Sequence, residues 1–257
     1  MELRNKVALI SGGSSGIGEA IAYKFAAEGA TCAIIASSNI RKANKVAKAI
    51  KRKSKGYVCN VTKPNEVQAT VDKVLKNHGK IDILVNAAGV FYPTVTGDTK
   101  PADMNRMVDI NLKGTWNMAN AVVPHMVGRK RGNIINMASV AGVIALPSYA
   151  MYCATKAGIV MMTKAMAVEL SRSGIHVNSI SPGNTESPMN ADIRTDPELK
   201  PVLEFMDMLT PSGRTYSKPE DIANAAFFLA SPITGKAVYG ANFVIDEGFA
   251  AGLFIAS

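Results

Sequence analysis

A chain of 257 residues, 47% hydrophobic and 19% charged, suits one large α/β domain or two small ones and is too apolar for disorder. Its opening, MELRNKVALISGG, holds a five-residue apolar run before glycines, so neither a secretory leader nor a membrane span is expected. The net charge of +9 is concentrated in residues 41–55, RKANKVAKAIKRKSK; without their eight cations the 29 basic residues drop to 21, against 20 acidic.

Short apolar runs alternate with longer helical ones. VALIS (7–11) reads as a strand, followed by a glycine-rich turn and a helix near 16–28. TCAIIAS (31–37) is a second strand, and the basic segment after it a helix. GYVCN (56–60) is a third strand, PNEVQATVDKVLKNHG (64–79) a helix ending at Gly79, and IDILVNAAG (81–89) a fourth strand. A helix near 101–127 precedes NIINMAS (133–139), and another spans about 149–172. HVNSIS (176–181), a helix near 219–230 and NFVID (242–246) complete the pattern.

Residues 182–215 read as the longest unstructured stretch, a candidate lid or substrate loop. Continuous apolar strands between helices argue for a parallel sheet covered on both faces, with right-handed crossovers. With no linker, repeat or low-complexity boundary, residues 1–257 read as a single doubly wound α/β domain.

Cys32, Cys59 and Cys153 have no paired spacing and suit reduced thiols in the cytoplasm. His78, His125 and His176 stand apart from one another and from the cysteines, so no metal site is expected.

The turn SGGSSGIG (11–18) places Gly12, Gly16 and Gly18 between a strand and a helix. Glycine lets the backbone approach a pyrophosphate at a helix N-terminus, where amide groups and the dipole favour an anion. An acid at the end of the second strand would hold the adenosine ribose of NAD. Ser37, Ser38 and Asn39 stand there instead, followed by Arg41 and Lys42. These suit a 2′-phosphate, so NADP(H) is favoured and NAD(H) is the alternative. One phosphate needs one or two cations, so most of the basic helix reads as a solvated face; nucleic-acid binding is not expected.

YCATK places Tyr152 and Lys156 four residues apart, on one face of a helix. A buried tyrosine beside a lysine stem would satisfy the pattern. The sharper reading is an ammonium that favours the phenolate. Bringing a phenol from ~10 to working pH takes roughly 4 kcal/mol of differential interaction. Thirteen residues upstream, Ser139 ends a strand, where doubly wound folds place their ligands.

Taken together, SGGSSGIG, NAAG (86–89), Asn111 in MVDINLKG, Ser139 in INMASVAG, YCATK and SPGNTESPM (181–189) resemble the short-chain dehydrogenase/reductase family along the full length. The resemblance implies a Rossmann-like fold with a seven-stranded sheet. It implies hydride transfer between a nicotinamide and a ketone or secondary alcohol, Tyr152 being the general acid. Lys156 would lower the tyrosine pKa and hold the ribose, Ser139 would orient the carbonyl, and Asn111 would anchor a water in a proton relay. Ser14, Ser15, Ile17, Asn60, Val61, Asn86, Ala87, Ala88, Gly89, Pro182, Gly183 and Thr185 would join the cofactor site. Several positions depart from the family's commonest pattern, among them Asn60, Ala87, Ala138, Ser187 and Ser15.

The helix over 149–172 is apolar almost all round, which points to a partner subunit. The family pairs this helix in homodimers and homotetramers. Tyr149 and Met189 are candidate substrate contacts. The substrate expectation is a small ketone or alcohol. Reduction of 3-oxoacyl groups on an acidic acyl carrier protein is the alternative, with Arg129, Lys130, Arg131 and Arg172 as docking cations. A non-catalytic dinucleotide sensor is the reading from another class.

Overall fold

VALIS forms β1 (Val7–Ser11), buried at every position, and the computed structural model describes residues 1–252 of the chain. Residues 253–257, the end of the expected domain, lie outside the described residues. Helix α1 (Gly16–Ala27) leads to β2 (Thr31–Ala36), and α2 (Ile40–Ile50) to β3 (Lys55–Val58). Helix α3 (Pro64–His78) follows, then β4 (Ile83–Asn86). After α4 (Pro101–Met107) and α5 (Gly114–Gly128) comes β5 (Gly132–Met137). Helix α6 (Ala150–Leu170) leads to β6 (Ile175–Pro182). Short helices α7 (Ala191–Thr195) and α8 (Lys200–Leu209) precede α9 (Pro219–Ala230) and β7 (Asn242–Ile245).

All seven strands pair in parallel, in the order β3-β2-β1-β4-β5-β6-β7. Side chains alternate across the sheet. Ala8, Ile10 and Ile34 face a core with Ile21 and Phe25 of α1 and Leu229 of α9. Leu9 and Ile35 face a second core with Val71 of α3, Val122 of α5 and Met166 of α6. The strand order reverses between β1 and β4, and a ligand crevice opens at the carboxyl ends of the strands around such a point. Gly12, Ser37, Asn60, Ala87, Ser139 and Gly183 all follow strand ends at this edge.

Two expectations are corrected. The helix near 101–127 is not uniform: a π-helical turn, Val108–Lys113, separates α4 from α5. The Thr115 hydroxyl donates to the Asn111 carbonyl at 2.6 Å, and the Asn111 amide is drawn to Val90. Such turns gather at functional sites. The stretch 182–215 is largely helical rather than unstructured. Pro188, Pro197 and Pro201 each sit in the first turn of a short helix, where a missing N–H costs nothing, and Asp196 caps one of them by accepting from the Glu198 amide. These prolines start helices rather than break them.

Candidate active site

The glycine turn is built for close approach. Gly12 has φ +66°, and a Cβ there would stand 2.7 Å from the Ala87 carbonyl oxygen. At Gly18 a Cβ would fall 2.4 Å from the Gly12 oxygen. Ser15, the N-cap of α1, makes no side-chain cap hydrogen bond, so the first amides of the helix face outward for an anion. A dinucleotide pyrophosphate therefore fits this turn. At the end of β2, Ser37, Ser38, Arg41 and Lys42 are exposed and no acid intervenes. The Asn39 carboxamide oxygen caps α2 by accepting from the amides of Arg41 and Lys42, which leaves its NH2 as the donor. The α2 N-terminus adds its dipole to these cations.

The other cofactor candidates divide. Ala87, Ala88 and Gly89 leave β4 at the crevice and are partly exposed. Asn86 is 2% exposed and turned away: its Nδ2 donates to Asn136 Oδ1 at 2.9 Å, and Asn136 Nδ2 donates to Thr163 Oγ1. Its side chain ties β4 to β5 and α6, so only its backbone fronts the crevice. Asn60 accepts from the Thr62 amide and hydroxyl, holding its own turn. Val61 is buried against Gly114, where a Cβ would meet it at 2.6 Å. Pro182 ends β6, and the Thr185 hydroxyl donates to the Gly183 carbonyl.

Ser139 follows β5, and its hydroxyl accepts from the Ala141 amide at 3.2 Å. Tyr152 and Lys156 rise from the first turns of α6. The Lys156 ammonium donates to the Met137 carbonyl at 2.8 Å and lies 5.6 Å from the Tyr152 ring centroid. Asn111 is fully buried; its Oδ1 accepts from the Val90 amide and its Nδ2 donates to the Val90 carbonyl. A Cβ at Gly89 would stand 3.3 Å from Asn111 Oδ1 and 3.8 Å from Lys156 Nζ, so the two groups border one small space.

The expected depression of the tyrosine pKa is corrected. Burial pushes Tyr152 up to about 12, a hydrogen bond with Ser139 offsets part of this, and Cys153 adds to it. Burial likewise brings Lys156 down to about 8. Burial is the largest cause of both shifts, and the ammonium is held by the Met137 carbonyl.

Phe91 and Thr94 are contacts that sequence reading missed. The Phe91 ring stacks on Tyr149 at 4.3 Å between centroids and meets Tyr152 edge-on at 4.7 Å. Thr94 accepts from the Met151 amide, and its own amide donates to the Ser148 carbonyl. Together they dock the loop after β4 onto the start of α6. The aromatic pair FY after NAAGV was the available signal. Met189, in the short helical turn Pro188–Asn190, is 54% exposed. Ser187 and Pro188 lie over the glycine turn, 3.4 and 3.5 Å from a Cβ built at Gly16.

A doubly wound sheet with a close-approach glycine turn and a Ser–Tyr–Lys cluster at its carboxyl edge is the arrangement of a dinucleotide-dependent oxidoreductase. A family model described as enoyl-(acyl carrier protein) reductase matches residues 12–250. The chain is 38% identical over 244 residues to a 3-oxoacyl-[acyl-carrier-protein] reductase of Thermotoga maritima, covering 93% of this chain and 97% of that one. It is 37% identical over 250 residues to a D-threitol dehydrogenase of Mycolicibacterium smegmatis, covering 96% and 94%. Among solved structures, a gluconate 5-dehydrogenase from Burkholderia cenocepacia J2315, in complex with NADP and tartrate, superposes with a TM-score of 0.90 at 33% identity, covering 98% and 97%. The chain belongs to the short-chain dehydrogenase/reductase family and acts as an oxidoreductase on CH–OH groups or the matching carbonyls.

Proposed function

We propose that the protein is an NADP(H)-dependent reductase of a small ketone, working in reverse on the secondary alcohol. The observation that carries this reading is the convergence of Ser139, Tyr152 and Lys156 beside the glycine turn. The bound nicotinamide supplies or accepts the hydride. The Tyr152 hydroxyl gives its proton to the substrate oxygen, and Ser139 orients that oxygen by a hydrogen bond. Lys156 lends its charge to the phenolate left behind and a donor to the ribose. Asn111 anchors a water in the space beside Gly89. The stacked Phe91 and Tyr149 rings form an apolar wall next to the reacting carbon, and Met189 lines the lid. A D-threitol dehydrogenase and a gluconate 5-dehydrogenase among the relatives support a polyol- or hydroxy-acid-like substrate.

The preference for NADP(H) rests on Ser37, Ser38, Asn39 and Arg41 and is supported by the NADP in the gluconate 5-dehydrogenase structure. Tyr152→Phe should lower ketone-reduction kcat/KM by on the order of 10²–10⁴-fold; near-full activity would overturn the mechanism. A clear preference for NADH over NADPH would overturn the cofactor assignment.

Carrier-bound 3-oxoacyl groups are the second reading, favoured by the Thermotoga maritima relative. Such a carrier needs its docking cations near the site mouth. In one chain they lie elsewhere: Arg129, Lys130 and Arg131 precede β5, about 26 Å or more from Ser139 at a strand's rise. Arg172 lies past the end of α6, about 30 Å from Tyr152 at a helix's rise. A carrier docked there would serve a second copy whose α6 runs antiparallel. We assign the chain to a homodimer or homotetramer packed through the outer face of α5 and α6. A cytoplasmic setting is supported by its three free thiols. No helix among the described residues is long and apolar enough to cross a membrane.

A further inference from the structure

The basic segment carries more cations than one cofactor phosphate uses, and half of them lie at the wrong end of the sheet for it. Arg41 and Lys42 follow the carboxyl end of β2. Lys51, Arg52, Lys53 and Lys55 gather at the start of β3, on the opposite edge. There the Ser54 amide donates to the Lys51 carbonyl at 2.9 Å, closing a turn with Arg52 at φ +48° and Lys53 at φ +58°. Positive φ at both central positions makes it a type I′ turn, which Asn-Gly adopts without the strain that longer side chains suffer. Lys51, at φ +58° and ψ −131°, occupies a region that glycine favours. The strain is imposed from outside. The Thr31 hydroxyl donates to the Arg52 carbonyl at 3.0 Å, and the Ser54 hydroxyl accepts from the Cys32 amide at 3.0 Å.

This turn presents Lys53 and Lys55 to a cleft of about 370 Å³ that they line with Val7, Thr31, Asn77 and His78. No acid lines it, and none of the eight cations of residues 41–55 joins an ion pair among the described residues. His78 is held in place. Asn77 Nδ2 donates to the Tyr57 oxygen at 3.0 Å, and that oxygen lies 3.0 Å from His78 Nε2. The two contacts fix the ring beside the cleft. Strained backbone persists where its surroundings over-determine it, and it collects at ligand sites. Here it holds ammonium groups together with nothing to neutralise them, which is the arrangement an oxyanion satisfies.

We propose that this cleft is a second anion site, separate from the glycine turn, that binds a small phosphate-bearing molecule. Val7 opens β1 and Gly12 follows its end, which places the two sites about 16 Å apart. The test uses enzyme saturated with NADP+, so that the glycine turn is taken. Tripolyphosphate, inorganic phosphate and a short single-stranded oligonucleotide are titrated separately at low ionic strength by calorimetry. Tripolyphosphate, or phosphate more weakly, should bind at one site per chain. Lys53→Gly should weaken this at least tenfold while raising Tm, because glycine relieves the turn as it removes the cation. Lys55→Gln, which leaves the turn intact, should weaken it without changing Tm. Absence of saturable binding, equal binding in both variants, or binding of the oligonucleotide alone would overturn the proposal.

Discussion

Burial moves Tyr152 and Lys156 in opposite directions on the pH scale, to about 12 and about 8. Reduction uses the protonated phenol and the charged ammonium, and both are present below about pH 8. As pH rises through that value Lys156 loses its proton, so kcat/KM for ketone reduction should fall; the phenolate that alcohol oxidation needs forms only toward about pH 12, and loss of the Lys156 charge does not bring it nearer. Lys156→Arg keeps its charge, and in whatever activity it retains the alkaline fall should vanish. Paired pH–rate profiles decide this; a wild-type reduction profile flat from about pH 7 to about pH 9 would remove Lys156 charge from the mechanism. Asn111 shows another side of the same scale. Its position was legible in the sequence, but the π-turn that holds it and its paired hydrogen bonds to Val90 were not, because both depend on a loop far away in the chain.

At the scale of elements, the strand starts are organised around one carboxylate. Asp82, just before β4, is 3% exposed. It accepts from the β1 amide of Val7 at 2.9 Å and from Arg129 at 2.8 Å, with Lys80 at 3.3 Å and Arg131 at 3.7 Å. Desolvation works against its ionisation, but Arg129, Val7 and Lys80 outweigh it and hold the pKa below the ordinary value. Its stabilising contribution is therefore present above the unfolded carboxylate pKa and lost as pH falls through the depressed folded one. Asp82→Asn should cost about 3–5 kcal/mol in urea unfolding near neutral pH, and less as the solution is acidified. At the other ends of the strands, Gly18→Ala would push a Cβ to 2.4 Å from the Gly12 oxygen. NADPH affinity, read by fluorescence titration, should fall at least about tenfold, or ~1.4 kcal/mol.

On the scale of the whole molecule, α5 and α6 leave large apolar side chains exposed among the described residues. Trp116 on α5 is 48% exposed, and Met161 and Val168 on α6 are 63% and 82% exposed. Residues 154, 157, 161, 165 and 168 form an outward stripe of alanine, methionine and valine along α6. An exposed run of this kind marks an interface. Met161→Glu should shift sedimentation velocity toward the monomer; an unchanged assembly state would place the subunit contact elsewhere. If Arg172 lies at a second copy's Tyr152, activity on a carrier-bound acyl group should fall with dissociation more steeply than activity on a free ketone.

The sequence by itself determined the alternation of strands and helices, the glycine turn and the Ser139, Tyr152 and Lys156 cluster. The first two rest on apolar periodicity and on conformational freedom at glycine; the third rests on four-residue spacing on a helix for Tyr152 and Lys156 and, for Ser139, on a strand end and the family resemblance. Even there, boundaries moved where the chain turns to meet a distant segment, as at residues 87–89, which leave β4 for the crevice. Tertiary structure alone decided what the environment does to each group. It turned the Asn86 amide inward, spent the Lys156 ammonium on a carbonyl, raised the Tyr152 pKa and set Phe91 against Tyr152. Those outcomes depend on desolvation and on contacts between residues far apart in the chain, and neither leaves a trace in local pattern. The basic segment divides the same way. Its charge is plain in the letters RKANKVAKAIKRKSK, but only the fold shows that its two ends serve opposite edges of the sheet.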